Sequence, residues 1–490
     1  MTHEVFRFKD RAALEKRIAE LGLDIPLSDD ISILFSPVVV AGKTLPNRFI
    51  IHPLEGADAD AEGAPSDLTF RRYCRFAQGG AAMIWFEATA VRQDGRSNPR
   101  QLLLSRKTAD DFKKLVEETR QAGRQKFGPN HSLVLVLQLT HSGRFSKPEG
   151  KPAPVITQRN PIIDALMGIP ADYPLIPDDE LDSLEDDFIS AALLAAEAGF
   201  DGVDVKACHG YLISELLASH HRHDSRYGGP FENRARFLVE TSLKIKKNVK
   251  GIFITSRINA VDGLPWPYGF GSSPRTETQE DLSELKSLAR NLADLGSPLL
   301  SLSLGIPAYN PHCGRPYNRP LLGQDLPDEH PLVGVARHLR LTAELQKSFP
   351  SLPIVGAGYS WLRQFFPDAA ASAVQTGKAS LIGLGRLSFA YPNWPDDLAI
   401  NGFLDPRKTC LACSRCSQLL RGGGRVGCVI RDISLYAREY KKIKDQLAIS
   451  RRVSQRSPAQ RKSRITSVNL RTRQKKARRG VRAKKENEEN

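Results

Sequence analysis

The stretch VDVKACHGYLISELLASHHRHDSRYGGPFENRARF, residues 203–237, decides how the chain folds. Its opening run, GVDVKAC from Gly202, is short and β-rich, and it follows the helix-period pattern AALLAAEAGF that ends at Phe200. An apolar helix running into a strand buried on both faces is the pattern of a βα unit in a parallel sheet. Lys206, His209 and Tyr211 stand at the C-terminal end of that strand, and a Gly-rich turn opens the next helix. In a parallel barrel that end carries the chemistry, so these three are candidate site residues.

Working outward, seven more strand-like runs alternate with helical patterns over about residues 31–400: NRFIIHPL from Asn47, AAMIWFEAT from Ala81, SLVLVLQL from Ser132, GIFITSRI from Gly251, PLLSLSL from Pro298, LPIVGAG from Leu352 and SLIGLG from Ser380. Eight βα units predict an α/β fold, a (β/α)8 TIM barrel. Between them ADDFKKLVEETRQAGRQ, with Thr108 as N-cap, and DDELDSLEDDFISAALLAAEAG, opened by Pro177 and two Asp, read as helices. Residues 8–23 read as a helical extension and 31–46 as a β-hairpin before the first barrel strand. The Pro-rich stretches 145–177 and 305–330 exceed ordinary connections and are candidate lids over the C-terminal face.

Composition excludes several classes. Seven Cys in 490 residues, four of them close together, argue against a disulfide scaffold and for a reducing compartment, hence the cytoplasm. The first ten residues turn charged too soon for a secretion signal, and no apolar run is long enough to span a membrane. The net charge of +15 resembles that of a nucleic-acid binder, yet residues 451–490 hold 15 Lys or Arg against three Glu, so the tail alone supplies +12. Such a tail buries no core and is expected to be disordered and to adhere to anionic polymers.

The segment from Lys206 to Phe237 resembles the old yellow enzyme family of flavin-dependent ene-reductases, in which a strand ends in a ligand pair followed by Gly-Tyr and later YGG-x-x-ENR-x-RF. YGGPFENRARF matches in full. Lys206 stands where the family has its first His, while His209 and Tyr211 fit. The resemblance implies FMN at the strand ends. Pro53, Leu54 and Glu55 would pass over the ring, with Glu55 replacing a small polar residue, and Ala88 would let the ring approach. Gln138 would face the pyrimidine edge, beside His141 and Arg144, and Arg257 would face N1 and O2, where a fixed cation raises the potential. Gly356-Ala357-Gly358 and Gly385-Arg386 end strands seven and eight, where a barrel holds its cofactor phosphate; one such pocket favours FMN over FAD.

The resemblance further implies that NAD(P)H reduces the flavin, which then passes a hydride to the alkene of an α,β-unsaturated carbonyl substrate. His209 would donate to the carbonyl oxygen, Lys206 would add charge and Tyr211 would be the general acid. Blander readings stand beside these: a buried histidine satisfied by backbone, a core tyrosine, a Lys206 salt bridge, and an ENRARF run that merely caps a helix with Glu232 and Arg236 paired at i,i+4.

Cys410, Cys413, Cys416 and Cys428 read C-x2-C-x2-C-x11-C directly after the last barrel helix, the spacing of a metal site. They are similar to the cluster cysteines of the 2,4-dienoyl-CoA reductase and trimethylamine dehydrogenase branch, whose middle spacer is one residue longer, and imply a [4Fe–4S] cluster, with a four-cysteine zinc site or free thiols as alternatives. Cys208 reads as a buried small residue. No dinucleotide-binding fingerprint follows residue 428, so a separate electron-transfer protein would serve the cluster, or NAD(P)H would reduce FMN directly. The expected organisation is a helical extension (1–30), an FMN-binding barrel (31–405), a four-Cys segment with a helix (406–450) and a disordered basic tail (451–490). Two other functions remain open: oxidative cleavage of an amine or ether with electrons leaving through the cluster, and nucleic-acid association through the tail. The N-x-x-C-P loop of the dihydrouridine synthases is not found.

Overall fold

The computed structural model describes residues 2–275 and 279–454, with side chains through residue 446. A hairpin of β1 (Val38–Val40) and β2 (Lys43–Leu45) comes first. Eight strands follow: β3 (Phe49–Ile51), β4 (Met83–Ala90), β5 (Val134–Thr140), β6 (Gly202–Val205), β7 (Phe253–Asn259), β8 (Leu300–Ser303), β9 (Ile354–Gly356) and β10 (Leu381–Leu384). They pair in parallel, each with its neighbour in sequence, and β10 returns to β3 to close a barrel. The (β/α)8 architecture expected from the eight apolar runs is therefore the observed one.

Side-chain parity sorts the core. Ile50, Met83, Trp85, Val134, Val136, Val355 and Leu381 fill the barrel, while Phe49, Ile51, Ile84, Phe86, Leu135, Leu137, Val203 and Val205 pack outward under the helices. Alternate strand residues face opposite sides, so each strand buries both faces. Val40 and Leu45 of the hairpin join the inner cluster and close the N-terminal end of the barrel. Among the described residues no helix is long and apolar enough to cross a membrane.

The helices begin where side chains can take up free N–H groups. Ser66 and Thr69 form a capping box on Asp67–Ala77, and the Asn160 side chain accepts from Ile163 N at the start of Pro161–Met167. Thr108 stands at the expected N-cap position of Ala109–Phe127, but its side chain caps no N–H of the helix. It has helical backbone angles, and its hydroxyl is turned back to the Leu103 carbonyl at 2.7 Å, which secures the preceding loop instead. Glu232 and Arg236 do not pair either. Arg236 pairs with Glu240, one turn further on, and Arg234 is buried against the Leu217 carbonyl and Glu284. The ENRARF run thus anchors its helix to the end of the short helix Leu212–Leu217 and to the helix Ser283–Asp294.

Stretch 145–177 carries the short helix Pro161–Met167 and is closed by an Ile156–Leu175 bridge. Stretch 305–330 is pinned by Asn310, whose amide donates to the Asp262 and Gly263 carbonyls and accepts from Ile306 N. The N-terminal extension forms the helix Arg11–Glu20. After the last barrel helices come Arg415–Arg421 and Ile433–Ser454. The latter runs four residues into the segment expected to be disordered; the rest of that tail lies outside the described residues.

Candidate active site

His52, Gln138, Asp204, Lys206, Arg257, Ser301 and Ser303 share the inward parity, and contacts across the barrel agree. His52 Nε2 lies 3.2 Å from Ser301 Oγ, joining β3 to the far side, and Trp85 Nε1 donates across β5 to Asp204 at 2.9 Å. The His52 ring occupies the space where residue 383 would carry a Cβ, which is why β10 has glycine there. The polar serines are legible as SLS in an otherwise apolar strand, and Asp204 as the one charge in GVDV.

Asp204 organises the floor of the site. It accepts from Gln138 Nε2 at 2.6 Å, from Trp85 Nε1 and from the backbone N–H of Arg257 at 2.8 Å. One of the two Gln138 amide hydrogens is thereby spent, and the amide orientation is fixed. Arg257 is 8 % exposed, and its Nε is buried without a partner among the described residues. Burial draws its pKa down. Lys206 is also buried, and burial lowers it too, with Arg257 adding like-charge repulsion. Instead of a salt bridge, its Nζ lies 3.7 Å from the Tyr211 ring centroid.

Burial pushes Asp204 up to about 6, outweighing its three donors. An unfolded aspartate titrates at ~3.9, so folding takes up a proton between those values. The stability contributed this way is complete below ~pH 4 and is lost as the pH rises through about 6. Asp204→Asn is expected to lack that loss. In urea denaturation the advantage of wild type over variant should shrink between ~pH 4 and ~pH 7; a constant difference would refute the assignment.

The turn after β6 sets the remaining groups. His209 has φ 69° and Gly210 φ 72°, two consecutive left-handed residues that reverse the chain directly behind the strand. Such a conformation in a histidine is strained and marks functional sites. His209 Nε2 lies 2.8 Å from Ser303 Oγ. Burial, together with Arg257 and Lys206, holds its pKa well below the usual imidazole value, so the ring is neutral. Tyr211 donates its hydroxyl to Glu55 Oε1 at 2.9 Å, and Ser97 Oγ donates to Glu55 Oε2 at 2.9 Å. Sequence reasoning missed Ser97, which sits in the loop after β4.

Beside Glu55, Gly56 N donates to Glu87 Oε2 at 2.6 Å. Arg72 holds Glu87 at 2.5 Å and Asp58 at 2.5 and 3.1 Å, all three buried. Pro53 is buried, and Leu54 lies against Gly385. Ala88 is buried, its carbonyl accepting from Gln101 Nε2 at 2.8 Å. At the ends of β9 and β10, Gly356, Gly358 (φ 92°) and Gly385 precede Arg386, whose Nη2 donates to the Pro316 carbonyl at 2.9 Å and whose Nη1 is buried without a partner among the described residues. Arg315, half-buried, is pulled down to about 10 by desolvation and by the Arg386 charge. His141 and Arg144 follow β5; Arg144 is neutralised by Asp164 and Glu215, a structural role.

Cys410, Cys413, Cys416 and Cys428 line one small cavity with Arg386 and Arg431. Ala412 and Ser414 have positive φ, winding the loop so that Ala412 N points at Cys410 Sγ, 3.4 Å away. As free thiols they do not form a ready-made metal set, and none is found among the described residues. Burial and the neighbouring sulfurs push Cys410 up to about 11 and Cys428 up to about 12. Cys208 is buried and likewise pushed up to about 11, which makes it a poor nucleophile.

This is a barrel enzyme's site: convergent polar groups at the C-terminal strand ends, with two cations, Lys206 and Arg257, whose side chains have no carboxylate partner among the described residues. The profile of the NADH:flavin oxidoreductase / NADH oxidase family matches residues 33–294, and the chain belongs to that family of oxidoreductases. It is 25% identical over 385 residues to an NADH oxidase of Thermoanaerobacter brockii, covering 78% of this chain and 52% of that one, so it spans about half the length of that curated relative. A 2-naphthoyl-CoA reductase has the same fold over 84% of this chain and 58% of its own (TM-score 0.65, 20% identity). An old yellow enzyme homologue of Zymomonas mobilis does so over 76% of this chain and 94% of its own (TM-score 0.55, 24% identity).

Proposed function

We propose that the protein is an FMN-dependent ene-reductase that uses NAD(P)H to saturate the C=C bond of an α,β-unsaturated carbonyl compound. The observation that carries this reading is the unspent positive charge of Lys206 and Arg257 at the barrel mouth. Burying such cations is costly unless a ligand rich in acceptors meets them. FMN fits. The orphaned Arg257 Nε and the Gln138 amide suit its pyrimidine edge, Pro53, Leu54, Glu55 and Ala88 flank the ring site, and the orphaned Arg386 Nη1 with Gly356, Gly358 and Gly385 suits its phosphate. Held by these residues, FMN would supply the hydride chemistry between NAD(P)H and the substrate β-carbon.

The chain's own groups do the rest. His209, neutral at ordinary pH, donates a hydrogen to the substrate carbonyl without titrating, and Lys206 adds positive charge to the oxygen as it gains electron density. Tyr211 delivers a proton to the α-carbon. The four cysteines are proposed to hold a [4Fe–4S] cluster that passes single electrons to or from a separate protein. Their shared cavity, the N–H directed at Cys410 and the flanking Arg386 and Arg431 support that reading, because thiolates gathered so closely need cations.

Anaerobic purification followed by a visible spectrum, flavin extraction and iron, sulfide and zinc analysis tests both parts. Arg257→Met is expected to bind flavin more weakly and to lower its midpoint potential, read by spectroelectrochemistry. A colourless protein that gains no flavin on reconstitution would end the flavin assignment, and zinc without sulfide would replace the cluster.

A further inference from the structure

We propose that Glu55 is the proton reservoir behind Tyr211: it hands a proton to the tyrosine oxygen as the tyrosine's own proton leaves for substrate, and it is refilled through Ser97. The inference rests on the function proposed above, in which Tyr211 faces the substrate. A tyrosine has one O–H, and here it is directed to Glu55 Oε1 at 2.9 Å. With Glu55 as a carboxylate that hydrogen is held. Tyr211 releases it toward substrate only when the carboxyl arrives carrying a hydrogen of its own.

The second Glu55 oxygen accepts from Ser97 Oγ at 2.9 Å, and Ser97 Oγ accepts from Asn98 Nδ2 at 3.1 Å. Glu55, Ser97 and Asn98 are each half-buried, which makes a hydrogen-bonded path from the buried mouth to the rim. Lys206, Tyr211 and Glu87 are the ionisable groups facing Glu55; Lys206, Cys208 and Glu55 face Tyr211. Burial and the Glu55 charge hold the Tyr211 phenol well above its ordinary range, so the phenol does not shed its proton to bulk water.

The step balances as a proton relay. A C–H bond forms at the substrate α-carbon as the Tyr211 O–H breaks, that O–H re-forms as the Glu55 O–H breaks, and the carboxylate regains one proton from solvent through the Ser97 hydroxyl. No electrons move along it; the hydride comes from the flavin reduced by NAD(P)H.

The test uses the full-length, flavin-loaded protein and Glu55→Gln, whose amide oxygen still accepts from Tyr211. Flavin reduced by NADPH is mixed anaerobically with cyclohex-2-enone, and reoxidation is followed between about pH 6 and pH 9. Wild type should slow as the pH rises. Glu55→Gln should be slower by ~10²-fold at the acid end and flat with pH, the loss being read as the ratio of its reoxidation rate to its own rate of reduction by NADPH. Phenolate absorbance gives a readout independent of turnover: the Tyr211 titration, identified by its loss in Tyr211→Phe, should move to lower pH in Glu55→Gln. A Glu55→Gln protein that keeps the wild-type pH profile, or whose phenolate titration does not move, overturns the relay and leaves the ene-reductase reading intact. Failure of cyclohexenone to reoxidise any of the proteins overturns that reading and the relay with it.

Discussion

Tyr211→Phe is expected to leave reduction of the flavin by NAD(P)H at the native rate while slowing its reoxidation by an enone ~10²–10⁴-fold, the worth of a positioned acid. The substitution removes only the hydroxyl. The ring stays over Lys206, 3.7 Å from its Nζ, so the cation keeps its place. Glu55 keeps Ser97 as a donor, so its carboxylate is not left bare. Stopped-flow measurement of the two half-reactions separates the roles. Equal slowing of both would show that the hydroxyl shapes the site and does not donate the proton, and would favour oxidation of an amine or ether, where no alkene is protonated.

The second large effect is on stability. Arg72→Met is expected to cost ~3–5 kcal/mol, the usual consequence of deleting one member of a buried charge network. Arg72 is 6 % exposed and satisfies both Asp58 and Glu87; methionine fills much of its volume but answers neither carboxylate. Both would then have to protonate or draw in water, so the deficit should be smaller in acid than at neutral pH. The damage should reach the site, because Gly56 is glycine to make room for the guanidinium and adjoins Glu55, while the Gly56 carbonyl accepts from Val426 N of the cysteine segment at 2.7 Å. Equilibrium urea unfolding gives the number, and a loss below ~1 kcal/mol, the level of an exposed ion pair, would mean that the network does not hold this region together.

What the sequence makes legible follows from range. Strand runs such as VLVLQL and the GVDV of β6 declare themselves because every residue is buried on one face or the other. The turn that carries the candidate site residues is local too, since Lys206, His209 and Tyr211 lie within six positions. The C-x2-C-x2-C spacing likewise announces convergence of its sulfurs. What escapes depends on distant pairings. Glu55 and Tyr211 are 156 residues apart, and in the sequence alone Glu55 is only a departure from a small polar residue. Arg72 lies in an amphipathic helix, DLTFRRYCRFA, where an arginine ordinarily faces water. Gln138 reads as a group waiting for a ligand, yet Asp204, which it meets only across a strand pair, already holds its amide. At Arg236 the spacing offers a glutamate four residues to either side and the helix uses Glu240, while at Thr108 the hydroxyl turns back to a loop carbonyl that only the folded loop supplies.

The hairpin beneath the barrel fixes the traffic of the enzyme. Because Val40 and Leu45 fill the N-terminal opening, the barrel is a cup with one rim and not a tube. Small molecules that reach Arg257, Lys206 or His209 come over that rim. On the function proposed above, NAD(P)H and the unsaturated substrate would use one doorway, so an excess of either would obstruct the other, whereas a protein serving the four-cysteine segment would not compete for it.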